Sequence, residues 1–226
     1  MAINLKSTRS VAAQGVKMMV YGAAGAGKTS LIRTLPNPVI LSAESGLLSI
    51  ADADIPFIEI KTMQELQEAY EWASGSDEAK QFDSIALDSI SEIGEVVLNH
   101  EKKIAKDPRQ AYGAMQEQLG DIIRSFRDLQ GKNVYFSAKL EKSQDEMGRM
   151  LYAPSMPGNK VGQSLPYFFD EVFALRVEKD PQGMTQRALM CDTDGLWSAK
   201  DRSGKLSAWE APDLGEIIKK IGGDHK

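Results

Sequence analysis

The sequence predicts an α/β fold, a mostly parallel central sheet flanked by helices on both faces. Three observations predict it. Short apolar runs alternate with helical patterns along the chain, as expected of strands joined by helical crossovers. The run Gly22-Ala23-Ala24-Gly25-Ala26-Gly27-Lys28-Thr29 fits the phosphate-binding pattern G-x-x-x-x-G-K-[ST], which chance places in roughly 1% of chains this long. That run lies between a strand pattern, Val16–Tyr21, and a helical pattern, Ser30–Leu35, that Pro36 stops.

Taken in order, the predicted strands are Val16–Tyr21, Pro38–Ser42, Phe57–Ile60, Ser84–Asp88, Asn133–Ser137, Glu171–Val177 and Arg187–Cys191. Thr62-Met63-Gln64-Glu65 reads as a capping box that opens a helix. Ile90, Ile93, Val97 and Ile104 fall near helical spacing. Tyr112, Met115, Leu119, Ile122, Phe126 and Leu129 form the clearest amphipathic stripe. Asp213 caps a last helix whose buried face is Leu214, Ile217, Ile218 and Ile221. These stripes are read as core packing. The segment Glu141–Pro166, rich in Gly, Pro, Ser and Met, reads as a long loop, either a lid or a binding loop.

The glycine run carries the chemistry. Its glycines let successive N–H groups turn inward onto phosphate oxygens. The binding set is therefore Gly22, Ala23, Ala24, Gly25, Ala26, Gly27, Lys28, Thr29 and Ser30, with Lys28 on the β- and γ-phosphates and the Thr29 hydroxyl on Mg²⁺. Ligands of parallel sheets bind beyond the carboxyl ends of the strands, so other strand ends supply the remaining candidates. Glu44 follows the second strand and could orient a water beside the γ-phosphate; a capping or surface carboxylate is the other reading. Asp88 closes an apolar strand, as a second Mg²⁺-holding residue should. Lys139 follows the fifth strand, where it reads equally as a phosphate sensor and as a surface lysine.

The chain has 226 residues, enough for one domain with a sizeable core, with residues 1–15 as an N-terminal arm suited to oligomerisation and 16–226 as the core. A net charge of −5 gives no basic body, so nucleic-acid contact would need local basic segments. Lys102, Lys103, Lys106 and Arg109 beside Tyr112 form one such segment, and Lys142, Arg149 and Lys160 lie in the charge-balanced long loop. A single cysteine precludes an internal disulfide. Without a signal-like N-terminus or a membrane-length apolar run, a soluble cytoplasmic protein with no membrane partner is expected.

On these residues the chain resembles the RecA family of recombination ATPases, and within it the compact phage Sak-type single-strand annealing group. The string LSAESGL resembles the strand end bearing the catalytic glutamate, which implies that role for Glu44. IALDSISEI resembles the metal-holding strand. AYGAMQEQLGDIIRSF resembles the helix after a first DNA-binding loop, which implies a loop at about Ala105–Tyr112. Glu141–Pro166 then sits where a second DNA-binding loop lies, and Lys139 replaces the glutamine of bacterial relatives at the sensor position. WSAKDRSGKL resembles paired basic residues that reach a neighbouring subunit's γ-phosphate, which implies Lys200 and Arg202. The resemblance implies a RecA-like ATPase using ATP and Mg²⁺, self-associating into a filament or ring. It also implies action on single-stranded DNA in phage recombination, repair or annealing, in the cytoplasm of a bacterial host. A nucleotide-switched module that recruits a single-strand-binding protein is the alternative.

Overall fold

The computed structural model describes residues 7, 14–44, 46–158 and 165–222. Most of the 1–15 arm and Lys160 lie outside them. Ten described strands form one sheet: β1 (Lys17–Gly22), β2 (Pro38–Ser42), β3 (Phe57–Glu59), β4 (Ser84–Asp88), β5 (Asn133–Gln144), β6 (Met150–Ser155), β7 (Glu171–Lys179), β8 (Thr185–Met190), β9 (Lys200–Asp201) and β10 (Trp209–Glu210). Their order is β10-β8-β7-β1-β5-β4-β2-β3, with β6 on β5 and β9 on β7. From β7 through to β3 the neighbours are parallel. The strands β6, β8, β9 and β10 join antiparallel. The predicted fold class is the observed one.

Both faces of the sheet are covered, and the period of two along β1 shows how. Met19 and Tyr21 pack on one side with residues of α2 (Met63–Gly75), α3 (Ile90–Ile104) and α4 (Pro108–Arg127). Met18 and Val20 pack on the other with α1 (Lys28–Leu31), the segment Leu47–Ala53 and α5 (Leu214–Gly222). The Thr62–Glu65 capping box is present in full, and Asp213 Oδ1 accepts the Glu216 N–H at 3.0 Å. Among the described residues no helix is long and apolar enough to cross a membrane.

Three differences from the expected elements have local causes. The first helix is only α1 and a 3₁₀ turn, Ile32–Thr34, because Leu35 is extended before Pro36, as the residue preceding proline prefers. The strand expected to stop at Ser137 continues to Gln144 and returns as β6, so much of the long loop is a β-hairpin. Its tip is closed by Asp145, whose Oδ1 accepts the N–H groups of Met147 (2.9 Å) and Arg149 (2.8 Å). The loop expected at Ala105–Tyr112 shrinks to residues 105–107, since Asp107 caps α4 and Pro108 begins it.

Candidate active site

β1 ends at Gly22, and the glycine loop follows it at the carboxyl edge of the sheet. Gly25 (φ +72°) and Gly27 (φ +107°) adopt left-handed conformations that side-chain-bearing residues avoid. Lys28 leans over the loop, its Nζ donating to the carbonyls of Gly22 (3.0 Å) and Ala23 (3.1 Å). Burial pushes this ammonium below its usual range, while the Glu44 and Asp88 carboxylates act in the opposite sense. From β5, the buried Tyr135 hydroxyl donates to the Lys28 carbonyl at 2.8 Å and fixes the start of α1.

Asp88 closes β4 two strands away from the loop's own strand, with β5 between them. Its side chain bridges that gap. Oδ2 accepts the Thr29 hydroxyl at 2.7 Å, and Oδ1 accepts the Ser137 hydroxyl of β5. Only 1% of Asp88 is exposed. Burial raises its carboxyl above the usual carboxylate range, and the Ser137 and Thr29 bonds oppose that rise.

Glu44 reaches the same place from β2. Ser42 is in register with Asp88, and the Ala43 and Glu44 N–H groups both donate to the Asp88 carbonyl, at 2.9 and 3.3 Å. Ser89, joined to Asp88 by a cis peptide, donates its hydroxyl to Glu44 Oε1 at 2.6 Å. Lys139, in register with Gly22, lines the same cleft, and its ammonium is ion-paired with Glu92. The loop, Glu44, Ser49, Lys139 and Lys142 enclose a cleft of 670 Å³, a size suited to a small-molecule ligand.

The other predicted residues lie elsewhere. Lys142, expected at a nucleic-acid loop, lines this cleft instead, and Arg149 is held at the hairpin tip by Asp145 at 2.7 Å. Lys102, Lys103, Lys106, Arg109 and Tyr112 are exposed around the α3–α4 junction, with Lys102 Nζ 5.7 Å from the Tyr112 ring centroid. Gly158, beyond β6, sits beside them: a Cβ there would lie 3.7 Å from Tyr112 Cδ1. The two stretches singled out for nucleic acid thus adjoin.

Lys200 and Arg202 sit at the opposite edge of the sheet. Lys200 pairs with Val172 and Asp201 with Glu171, which neighbours Met18 near the start of β1. Along β1 about 10 Å for Lys200 and about 16 Å for Arg202, and two strand spacings across the sheet, separate them from the glycine loop, beyond the reach of either side chain. Lys200 Nζ donates to the carbonyls of Pro166 and Phe169, and Arg202 pairs with Asp170 at 2.7 Å. Beside them Glu171, 1% exposed, faces Asp201. Burial, and secondarily the Asp201 charge, push Glu171 up to about 8. Burial works against Asp201 as well, but bonds from Ser203 and the Leu206 N–H hold it low. Of the two, Glu171 is the one that its surroundings push toward the protonated form.

Sequence reasoning missed four participants: Ser89, Tyr135, Ser137 and Arg187. The last approaches the loop from β8, its Nε donating to the Ala26 carbonyl at 2.9 Å. No motif links Arg187 to the loop, since 161 positions separate them.

The donor set fits magnesium. A threonine hydroxyl and a carboxylate are hard oxygen ligands, and Mg²⁺ takes one or two protein oxygens and completes its shell with water and phosphate. Among the described residues no cluster of three His, Cys, Asp or Glu offers a fuller cage.

A family model described as an AAA domain matches residues 14–203. Among solved structures the chain is similar to a KaiC-like protein from the hyperthermophilic archaeon Pyrococcus horikoshii OT3. The identity is 12% over 78% of each chain, with a TM-score of 0.43. No curated protein matches the sequence.

Proposed function

Because the chain belongs to the AAA domain family, we propose that it is an ATPase that hydrolyses ATP at the Gly22–Thr29 loop. The observation that carries this reading is the meeting, at one edge of the sheet, of Glu44, which lines the cleft beside Lys28 and Thr29, and Asp88, which is buried behind Thr29 and accepts its hydroxyl. The loop N–H groups and Lys28 bind the phosphates. Thr29 and Asp88 would hold Mg²⁺, which when bound supplies charge neutralisation on the phosphate oxygens. Glu44, steadied by Ser89, orients and deprotonates the attacking water. Lys142 and the Glu92-paired Lys139 line the same cleft.

The finer reading follows the resemblance to RecA-type recombination ATPases. In it the protein works on single-stranded DNA in phage recombination or annealing. What supports it is the exposed basic and aromatic group around Tyr112, with Gly158 against it. The same resemblance gives Lys200 and Arg202 a role toward a neighbouring subunit in a filament or ring, and their distance from their own loop is compatible with it.

Phosphate release measured with ATP and Mg²⁺, with and without single-stranded DNA, tests both levels. Turnover that needs Mg²⁺ and rises with DNA is the expected result. Absence of turnover under every condition would overturn the ATPase reading, and turnover indifferent to DNA would overturn the finer one.

A further inference from the structure

Arg187 is not part of the phosphate-binding motif, yet it touches the loop at its tightest point. We infer that Arg187 is a positioning residue of the phosphate loop, holding the Ala26–Gly27 peptide from outside so that the Gly27 N–H faces the phosphate. This deepens the nucleotide-site reading above and rests on it.

The placement follows from the sheet. Arg187 on β8 is in register with Val177 on β7, two residues past Leu175. A Cβ at Gly22 would lie 3.1 Å from the Leu175 carbonyl oxygen, so the β7–β8 hairpin overhangs the loop from the side away from Asp88. From there the Arg187 Nε–H donates to the Ala26 carbonyl at 2.9 Å. The side chain lies along the loop's outer surface: a Cβ at Gly27 would meet Arg187 Nε at 3.5 Å and Cδ at 3.7 Å.

The consequence is geometric. In a trans peptide the C=O and the N–H point in opposite directions. Fixing the Ala26 oxygen outward therefore fixes the Gly27 N–H inward. That N–H donates to no backbone carbonyl among the described residues, although its neighbours are engaged: Ala26 N–H bonds Ala23 O, and Leu31 N–H bonds Gly27 O. A charged donor on the carbonyl also polarises the peptide and strengthens its N–H as a donor. Gly27, at φ +107°, is free to turn unless something holds it. Among the described residues Arg187 has no carboxylate partner and no other hydrogen bond, so its contact with Ala26 is the one that places it.

The test compares Arg187→Gln and Arg187→Lys with the parent chain by calorimetric titration of ATP, ADP and inorganic tripolyphosphate, with the thermal midpoint as the folding control. All three ligands use the loop, so Arg187→Gln should weaken each by about tenfold, the loss expected for one charge-assisted hydrogen bond. Arg187→Lys, which keeps the charge and one donor, should recover part of it. In steady-state assays Arg187→Gln should raise KM more than it lowers kcat. Unchanged affinity for all three ligands overturns the inference. So does weakening of ATP alone, which would mean a γ-phosphate contact, and so does loss for ATP and ADP with tripolyphosphate unaffected, which would mean an adenosine contact. Lys28→Ala separates the two levels. If it loses binding while Arg187→Gln keeps it, only this inference fails; if both keep it, the nucleotide-site reading fails.

Discussion

The Ser89 hydroxyl donates to Glu44 Oε1 at 2.6 Å, so the residue after Asp88 on β4 steadies the carboxylate that leaves β2. Glu44 is therefore held by the neighbour of Asp88, while Thr29 and Ser137 hold Asp88 itself. Glu44 in turn helps to raise the Asp88 carboxyl, after burial itself.

Replacing Glu44 by Gln should lower turnover by about 10²–10⁴-fold, the usual contribution of a positioned general base. ATP should still bind, because the loop and Lys28 are untouched. Ser89→Ala should act in the same direction by about tenfold, mainly on kcat, since it removes a hydrogen bond to a charged group and not the base itself; it also removes the cap of α3, so a lower thermal midpoint should accompany it. Phosphate release and nucleotide titration on the same samples check both.

Asp88→Asn should separate stability from activity. It removes a buried charge whose ionised form burial disfavours, so the thermal midpoint should hold or rise. Magnesium-dependent nucleotide binding should fall, because the carboxylate beside Thr29 is gone. Thermal melts with and without ATP and Mg²⁺ read both effects, and a nucleotide-induced shift as large as in the parent would contradict the assignment.

Glu171 predicts a pH dependence. Its carboxyl titrates near 4.5 when unconstrained and is pushed up to about 8 in the fold. Between those values the folded state keeps a proton that the unfolded chain has released. Its contribution to stability is thus complete at the acid end of that window and is lost as pH rises through about 8. Glu171→Gln should flatten the fall in thermal midpoint across this range and raise it at the alkaline end. A parallel pH profile in the variant would refute the assignment.

Lys200 and Arg202 predict complementation. If they act on a neighbour, Arg202→Ala and Glu44→Gln are defective at different ends of the subunit. Mixed together, two weak ATPases should recover activity, because some interfaces pair an intact Glu44 with an intact Arg202. Activity that stays at the sum of the separate variants would contradict a role across the interface.

The glycine loop, Asp88 and Glu44 were legible because each sits at a strand end marked by local pattern. Gly25 and Gly27 are demanded by backbone conformation, which a sequence records directly. Ser89, Ser137 and Tyr135 were not legible as partners, since their hydroxyls matter only through sheet register: Leu87 lies opposite Phe136, which carries Ser137 up beside Asp88. Arg187 was invisible for the same reason at longer range. The hairpin was misread because Gly148 and Pro154 suggest irregular chain, while Gly148 (φ +77°) serves the turn and Pro154 sits on a strand paired on one side by Leu140. The family resemblance placed Lys200 and Arg202 in a shared role, and only the topology shows that they cannot serve their own loop.

β5 lies between the loop's strand and the strand of Asp88, then continues five residues past Lys139 to form the protruding hairpin. The piece of chain that carries Ser137 to Asp88, Lys139 to the cleft and Gln144 to the hairpin base is one unbroken strand. Its inner residues, Val134–Ala138, are buried and its outer ones are largely exposed. The hairpin is thus rooted in the strand that lines the cleft, so a change at its base would have to pass Lys139 and Ser137 before it met any other part of the site.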